Sequence, residues 1–290
     1  MRIATQVEEI IKKTKPVALI VTHEGHAWEK MAFYAARKVE PSIQCVGYTH
    51  APLFENQHAA LRLLSKTFNP DKIFTSGHTQ KYQLESIGSL KSIPLEVLGS
   101  NRVQKKNIIR QSERKKGQRK SNLKSACLVI PEGAESESIL LFDFSQKCAH
   151  EMTNIQFIWR LHPNLSFKNI ADKHKKFQLL PKNVELSKST LEEDIENCKW
   201  VLYRGSSAVI QAVEAGLKPI YLHKPGDMKI DPLFQLKNWK EEVTTTQSFQ
   251  QIIIDSKNKT KDCLIARDYC RKLYVPFDHK PLINLLKKNS

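Results

Sequence analysis

The chain has 290 residues, of which 40% are hydrophobic and 26% are charged, enough for one large or two modest domains with a real core. These proportions exclude a globally disordered or fibrous protein. The net charge of +16 indicates an anionic partner, such as nucleic acid, an acidic membrane surface or a phosphorylated ligand; alternatively, it reflects only a solvated basic surface.

The chain contains no apolar run of the length that spans a bilayer. Its first nine residues lack the long apolar stretch of a signal peptide, so we expect a cytoplasmic protein. No C-x-x-C pair occurs, which argues against a zinc site or a redox pair. We expect reduced, mostly buried thiols at Cys45, Cys127, Cys148, Cys198, Cys263 and Cys270.

Short apolar runs alternate with stretches of helical periodicity in the first hundred residues. Strands are predicted at Val17–Val21, Gln44–Tyr48 and Lys72–Thr75. Helices are predicted at Trp28–Lys38 and near His58–Thr67 and Gln80–Ser86. This alternation is typical of a parallel sheet that helices cover on both faces.

The alternation stops at residues 101–124, which carry ten Lys or Arg residues and one acidic residue. This composition predicts a mobile basic linker, or alternatively an ordinary solvated one. We therefore expect an N-terminal domain over residues 1–100 and a C-terminal domain over residues 125–290.

A second alternating unit follows the basic segment. Strands are predicted at Ala126–Ile130, Ile155–Arg160, Trp200–Tyr203 and Lys218–Leu222. Helices are predicted at Glu135–His150, at Leu191–Asn197 with Thr190 as N-cap, from Ser206 to Gly216, and in the tail from Thr246. The fold class expected for the whole chain is α/β, with two Rossmann-like domains.

Polar motifs follow four of the predicted strands. They are His23-Glu24-Gly25, Pro131-Glu132-Gly133, His162-Pro163 and Gly205-Ser206-Ser207. Open α/β sheets bind their ligands at the carboxyl ends of the strands, so these motifs are the candidate site.

The turn after Tyr203 suits a phosphate. Gly205 permits a tight turn, Ser206 and Ser207 place two hydroxyl donors where a helix begins, and Arg204 adds a charge. Alternatively, one serine is only the helix N-cap. His162 can donate to or protonate a leaving phosphate, although a structural histidine bonded to backbone is the alternative.

The acidic candidates have several roles. Glu24 can take a proton from an acceptor hydroxyl, and Glu29 lies close enough to perturb its pKa, or serves only as an acid at a helix N-terminus. Glu132 or Glu137 can bond a ribose or sugar hydroxyl, and Glu214 is a ribose candidate or a surface charge. The predicted substrate-binding residues are Glu29, His50, Glu132, Glu137, Arg160, Arg204, Gly205, Ser206, Ser207 and Glu214.

The sequence contains no G-x-G-x-x-G and no Walker A loop, which argues against a dinucleotide enzyme or a kinase. It also contains no Asp-x-Asp pair for a divalent metal. We therefore expect no cofactor, no metal, and protein donors around the leaving phosphate.

Taken in order, the motifs resemble those of GT-B glycosyltransferases of bacterial surface polysaccharide synthesis. The resemblance covers residues 17–235 and is strongest to the transferases that use CMP-activated acidic sugars, namely sialyl-, polysialyl- and Kdo transferases. Those families share an acidic-acidic-Gly motif, a His-Pro motif and a serine motif. Here the matching residues are His23-Glu24-Gly25, His162-Pro163 and Ser206-Ser207, with His23 in place of the first acid.

The resemblance implies two parallel sheets facing across a cleft, with the nucleotide donor bound mainly by the second domain. It implies Glu24 as the general base, His162 as the group that stabilises the departing CMP phosphate, and Ser206 with Ser207 as its binding groups. The expected activity is metal-independent transfer of a sugar to a surface glycan or glycolipid. The basic linker then allows peripheral contact with the anionic inner face of a membrane.

Three other functions stay open at this stage. One is a CDP-glycerol-type transferase of polyol phosphate units, and the second is a UDP-sugar enzyme of the same fold, such as an epimerase. The third is a non-catalytic basic protein that binds nucleic acid or a protein partner. A nucleic-acid partner is disfavoured because the sequence has neither an RNA-binding motif nor a platform of aromatic and basic residues.

Overall fold

The computed structural model describes residues 2–56, 59–86, 90–103, 125–255 and 260–287. The chain divides into two compact units, Met1–Lys116 with Arg271–Ser290, and Gly117–Cys270. The C-terminal residues therefore group with the first unit, whereas the sequence placed them in the second. The cause is backbone pairing, because Val275 N–H donates to the Ser76 carbonyl and Ser100 N–H donates to the Val275 carbonyl. Most of the predicted basic linker, residues 104–124, lies outside the described residues.

The helices and strands alternate along the chain as the sequence predicts. The strands are β1 Ala18–Thr22, β2 Gln44–Thr49, β3 Lys72–Thr75, β4 Leu95–Val97, β5 Ala126–Pro131, β6 Gln156–Trp159, β7 Val184–Leu186, β8 Trp200–Arg204, β9 Lys218–Leu222 and β10 Glu241–Val243. The helices are α1 Arg2–Thr14, α2 Ala27–Val39, α3 His78–Ser86, α4 Glu135–Glu151, α5 Phe167–Lys173, α6 Leu191–Glu196, α7 Ala208–Glu214, α8 Thr246–Ile254, α9 Thr260–Leu273 and α10 Lys280–Lys287.

The first unit contains a parallel sheet in the order β1-β2-β3-β4. Apolar residues of α1 and α2, including Ile11 and Phe33, pack with Val21 and Cys45 of the sheet. A separate apolar cluster joins β2 and β3 to Leu285 of α10. Apolar side chains of the helices therefore pack against β1, β2 and β3, three of the four strands.

The second unit contains a six-stranded parallel sheet in the order β10-β9-β8-β5-β6-β7. This is the strand order of a dinucleotide-binding α/β sheet, and it reverses between β5 and β8. The core includes Phe142 of α4, whose ring stacks on Trp159 with 4.3 Å between centroids. The β5 strand is buried along its whole length because it lies in the middle of the sheet.

Most of the predicted elements are present, including the Thr190 N-cap, whose hydroxyl accepts a hydrogen bond from Glu193 N–H. The helix predicted near His58–Thr67 is wrong. The described part of it forms two short 3₁₀ turns, at Ala59–Leu61 and Lys66–Phe68. The Asn69 amide bonds both backbone groups of Leu64, and such side-chain bonds compete with the helical pattern.

Among the described helices, none combines the length and the apolar character that crossing a bilayer requires.

Candidate functional site

In the second unit, three of the predicted strand-end motifs lie together at the carboxyl edge of the sheet. Gly205 has a φ of +75°, and a Cβ added to it would lie 2.6 Å from a carboxylate oxygen of Glu132. A Cβ added to Gly133 would lie 3.3 Å from the ring of His162. The two glycines therefore allow the carboxylate and the imidazole to approach the turns after β5 and β8, where the strand order reverses.

The imidazole of His162 has a defined tautomer in its neutral form. Its Nδ1 accepts a hydrogen bond from Asn164 N–H at 3.3 Å, so the proton of the neutral ring is on Nε2. The residue is half-buried. His162 can therefore donate a hydrogen bond from Nε2 to an anionic oxygen.

The carboxyl group of Glu132 lies beside this imidazole. Burial raises the pKa of Glu132, and the charge of Glu137 raises it further, while Arg204 and His162 act in the opposite direction. The net direction is upward. A carboxyl group that stays protonated to higher pH than usual can donate as well as accept a hydrogen bond, which suits a hydroxyl ligand.

The serine turn follows the same edge. Ser206 and Ser207 are half-buried, and Ser207 occupies the N-cap position of α7 without making a side-chain cap hydrogen bond. The alternative that Ser207 serves only to cap the helix is therefore not supported. The α7 helix has seven residues and ends at Glu214, so it is shorter than predicted.

Arg204 is enclosed by protein partners, one of which is Glu137, so it is not placed to contact a ligand as the sequence suggested. Arg204 is 2% exposed, and its Nε lies 2.5 Å from a carboxylate oxygen of Glu137. The rest of the guanidinium contacts the Tyr221 hydroxyl, the Leu222 carbonyl and the Asp227 carboxylate. This correction follows from burial, because a buried guanidinium needs these protein partners to balance its charge and its donors. Arg204 thereby ties β8 to α4 and to the segment after β9.

Arg160 and Glu214, two further predicted substrate-binding residues, also have contacts within the protein. One nitrogen of the Arg160 guanidinium lies 2.9 Å from the buried Asp194 carboxylate and also bonds the Ser187 hydroxyl, so its charge stabilises the connection after β7. Glu214 is the last residue of α7, about 10 Å along the helix from the serine turn. Its carbonyl accepts a hydrogen bond from Arg267.

In the first unit, Glu29 has a structural role instead of the predicted contact with substrate. Its side chain is fully buried, and its carboxylate accepts hydrogen bonds from the backbone N–H groups of Glu24, Gly25 and His26, at 2.8 to 3.1 Å. An acid at the third position of a helix that bonds back to the N-cap N–H is half of a capping box, a signal that the sequence already contained. Glu29 thus determines the path of the turn between β1 and α2.

That turn places Glu24 between two imidazoles. The carboxylate oxygens of Glu24 lie 3.4 Å from Nε2 of His26 and 3.4 Å from Nε2 of His50. The Glu24 side chain is 27% exposed, so a ligand can reach it. Sequence reasoning included His50 but missed His26, although it follows Glu24 by two residues. A carboxylate with two neighbouring imidazoles can accept a proton.

His23, which stands where the resembling families have an acid, is fully buried. Its ring packs against Gly47, where an added Cβ would lie 2.9 Å from the His23 Cβ. Burial, followed by the charge of Lys30, lowers the pKa of His23 to about 4. His23 is therefore neutral near pH 7 and belongs to the core of the first unit.

No group of three or more His, Cys, Asp or Glu side chains in the described ranges has a geometry that would hold a metal ion.

The sequence matches no protein-family model and no curated protein. Solved structures, in contrast, are similar over nearly the whole chain. The glycotransferase of kitacinnamycin is 9% identical, with a TM-score of 0.61 over 99% of this chain and 79% of that chain. The glycosyltransferase SnogD from Streptomyces nogalater is 13% identical, with a TM-score of 0.57 over 99% and 76%.

A third similar structure is the UDP-GlcNAc 2-epimerase of Methanocaldococcus jannaschii in complex with UDP-GlcNAc and UDP. It is 15% identical, with a TM-score of 0.55 over 92% of this chain and 79% of that chain. The chain has a GT-B-type α/β fold. The predicted fold class is confirmed, and at these identities the likeness extends to the fold alone.

The crowding around Gly205 predicts that Gly205→Ala lowers the free energy of unfolding more than alanine at an uncrowded glycine does. Alanine at a positive φ costs about 1–2 kcal/mol. Its Cβ would also lie 3.0 Å from the Ile230 Cδ1 and 3.1 Å from the Glu132 Cβ, and displacing these packed atoms adds about 1 kcal/mol, while the carboxylate end of Glu132 can rotate away. Gly226→Ala is the matched control, because Gly226 also has a positive φ but its Cβ would meet nothing within 4 Å. Urea unfolding of both variants measures the difference.

Adding Glu132→Ala to Gly205→Ala removes the carboxylate oxygen but leaves the Ile230 Cδ1 at 3.0 Å and the Cβ of residue 132 at 3.1 Å, so the double variant should recover only part of the loss of stability relative to the Gly226→Ala control. Equal losses in the two single variants, or no coupling between positions 132 and 205, would contradict this account of the turn.

The burial of His23 predicts a pH-dependent stability. The pKa of His23 is lower in the folded chain than in the unfolded chain. Its contribution to the free energy of unfolding is therefore fully present above about pH 6.5 and is lost as the pH falls towards about 4. The total loss is about 3 kcal/mol at about 1.4 kcal/mol per pKa unit. Urea unfolding at several pH values should show a flatter profile for His23→Gln than for the exposed control His150→Gln, and identical profiles would refute this assignment.

Proposed function

We propose that the chain is a nucleotide-sugar-dependent glycosyltransferase whose donor binds at the carboxyl edge of the second sheet. One observation carries the proposal. Glu132, His162 and Gly205 converge where the order of the strands reverses, and this is the position at which open α/β sheets bind their ligands. The two glycosyltransferases with similar folds support this class of enzyme, and the epimerase supports a nucleotide-sugar as the ligand.

The donor phosphate is bound by side-chain donors. His162 donates from Nε2, and Ser206 and Ser207 donate from their hydroxyls. These hydrogen bonds stabilise the negative charge on the phosphate oxygen, which develops as its bond to the anomeric carbon breaks. Glu132 bonds a hydroxyl of the ribose or of the donor sugar. In this proposal Arg204 and Glu137 maintain the turn and do not contact the donor.

The acceptor is activated by the first unit. Glu24 removes the proton from the acceptor hydroxyl, and the resulting oxygen attacks the anomeric carbon. His50 and His26 lie at ion-pair distance from Glu24 and orient its carboxylate. The proposed acceptor is a surface glycan or a glycolipid, and the basic segment brings the enzyme to the anionic face of a membrane.

Two donor classes have specific support. The acidic-Gly, His-Pro and serine motifs favour a CMP-activated acidic sugar. The similarity to a structure that contains UDP-GlcNAc and UDP favours a UDP-sugar. We propose the CMP-sugar as the donor, with the UDP-sugar as the second candidate.

The donor site is tested by thermal denaturation with CMP, CDP, UDP, UMP, GDP and ADP. A nucleotide that binds only the folded chain should stabilise it by about 2.7 kcal/mol at 100 times its Kd. His162→Ala should raise the Kd of that nucleotide by roughly 10- to 100-fold, because it removes a hydrogen bond to a charged group. His150→Ala, which removes an exposed histidine of the same unit, should leave the Kd unchanged.

Stabilisation by CMP alone supports a CMP-sugar donor, and stabilisation by UDP alone selects the UDP-sugar. If no nucleotide raises the melting temperature, or if His162→Ala and His150→Ala bind equally well, the proposed donor site is wrong.

The base is tested by Glu24→Gln, with the donor identified by the thermal experiment. Loss of a general base should lower kcat by about 100-fold or more. The nucleotide Kd should not change, because the proposal assigns nucleotide binding to residues of the second unit. Release of nucleotide in the presence of acceptor measures the rate, and Glu9→Gln on the exposed side of α1 is the control. A Glu24→Gln enzyme with the rate of the Glu9→Gln control would exclude Glu24 as the base.

A further inference from the structure

Three of the four outer strands of the two sheets share features that prevent pairing with another chain. The strands β4, β7 and β10 are each three residues long, and each contains at least one glutamate. Short length and charge are common protections of a sheet edge, because they leave no continuous row of backbone groups for a foreign strand.

The fourth outer strand, β1, has neither protection. It is five residues long, its sequence ALIVT contains no charge and no proline, and within the described residues it pairs with β2 alone. The corresponding first strand of the second sheet, β5, has a neighbour on each side. In the described part of the chain, β1 therefore has one neighbouring strand where the equivalent strand of the other sheet has two.

The backbone of β1 shows which of its groups face outwards. The Val17 carbonyl accepts from Gln44 N–H, and His23 N–H donates to the Tyr48 carbonyl, so the odd-numbered residues direct their backbone groups towards β2. Successive residues of a strand alternate in this direction. The N–H and C=O groups of Ala18, Ile20 and Thr22 therefore point to the outer edge.

The side chains of β1 are also incompletely covered. Leu19 and Val21 belong to the apolar cluster formed with α1 and α2, whereas Ile20 is on the opposite face and is 45% exposed. Val17, next to the strand, is 48% exposed. Strands of parallel sheets are normally covered on both faces, so this apolar surface is unusual.

We propose that β1 pairs antiparallel with β1 of a second copy of the chain, so that the two four-stranded sheets form one eight-stranded sheet about a two-fold axis. In this register Ile20 lies opposite the partner's Ile20, and Ala18 lies opposite the partner's Thr22. The outward backbone groups are symmetric about Ile20, so every outward N–H meets an outward carbonyl. The two exposed Ile20 side chains lie next to each other on the same face of the sheet.

The charges near the ends of β1 agree with a second copy as the partner. The exposed Lys12, Lys13 and Lys15 precede β1 and Glu24 follows it, so antiparallel pairing brings the basic end of one copy to the acidic end of the other. Opposite charges at the two ends favour antiparallel over parallel pairing of the two copies. A two-fold interface uses the same surface on both subunits, which a self-complementary edge provides.

The proposal is tested by sedimentation equilibrium of the full chain over a range of concentrations. We expect a dimer that Ile20→Lys weakens by at least about tenfold in dissociation constant, because two like charges then lie opposite each other at the centre of the pair. Circular dichroism checks that Ile20→Lys is folded. Ile254→Lys, which replaces a residue that is 69% exposed on α8, is the matched control and should not change the dissociation constant.

A second variant tests the register without adding charge. The Cα atoms of paired residues in such a ladder lie about 5.5 Å apart, within the range that a disulfide spans. Under mild oxidation, Ile20→Cys should therefore form a covalent dimer faster than Ile254→Cys. A chain that is monomeric at all concentrations, a dimer that Ile20→Lys leaves intact, or equal cross-linking of the two cysteine variants would overturn the proposal. Nucleotide binding by the second unit is independent of each of these outcomes.

Discussion

The pairing of β5 with β8 is the interaction on which the candidate donor site depends. The two strands are about seventy residues apart in sequence, and their parallel register sets Pro131 opposite Arg204. The next residues, Glu132 and Gly205, therefore leave the sheet side by side. Because β6 lies on the other side of β5, the turn after β6 brings His162 to the same edge. A shift of one residue in this register would separate the carboxylate, the imidazole and the serine turn.

The buried charges of the second unit maintain this edge. Arg204 is at the end of β8, and its guanidinium contacts α4, β9 and the segment that follows β9. Removal of one member of a buried ion pair costs more than the pair itself contributes, because the remaining charge is left without a partner. The charged residue nearest the serine turn is therefore needed for the structure of the turn, and the proposed donor site relies on the neutral side chains of His162, Ser206 and Ser207.

In the first unit, the candidate base Glu24 is positioned in a different way. Its strand order does not reverse among the described residues, so no crevice of the kind found in the second sheet is expected there. Instead, the buried carboxylate of Glu29 gathers three backbone N–H groups and shapes the turn after β1. The outcome is that Glu24 lies between His26 and His50. The same strand, β1, carries the exposed edge, so the turn with the proposed base and the proposed dimer contact share one element.

The sequence by itself determined the features that depend on neighbouring residues. The apolar runs at β1, β5 and β8 identified these three strands, and Thr190 identified the start of α6 because an N-cap acts within three residues. The placement of polar motifs after strands was likewise a local property. These features were enough to derive the fold class and the edge of the second sheet at which Glu132, His162 and Gly205 meet.

The tertiary structure alone decided which charged side chains remain available to a ligand. Arg204, Glu137 and Arg160 were indistinguishable by sequence from ligand-binding residues, since their partners come from distant elements that only the fold brings near. The three-residue strands β4, β7 and β10 were missed because so few residues show no periodicity. The position of β1 at an open edge also required the fold, because strand order depends on pairing between segments and not on the composition of any one of them.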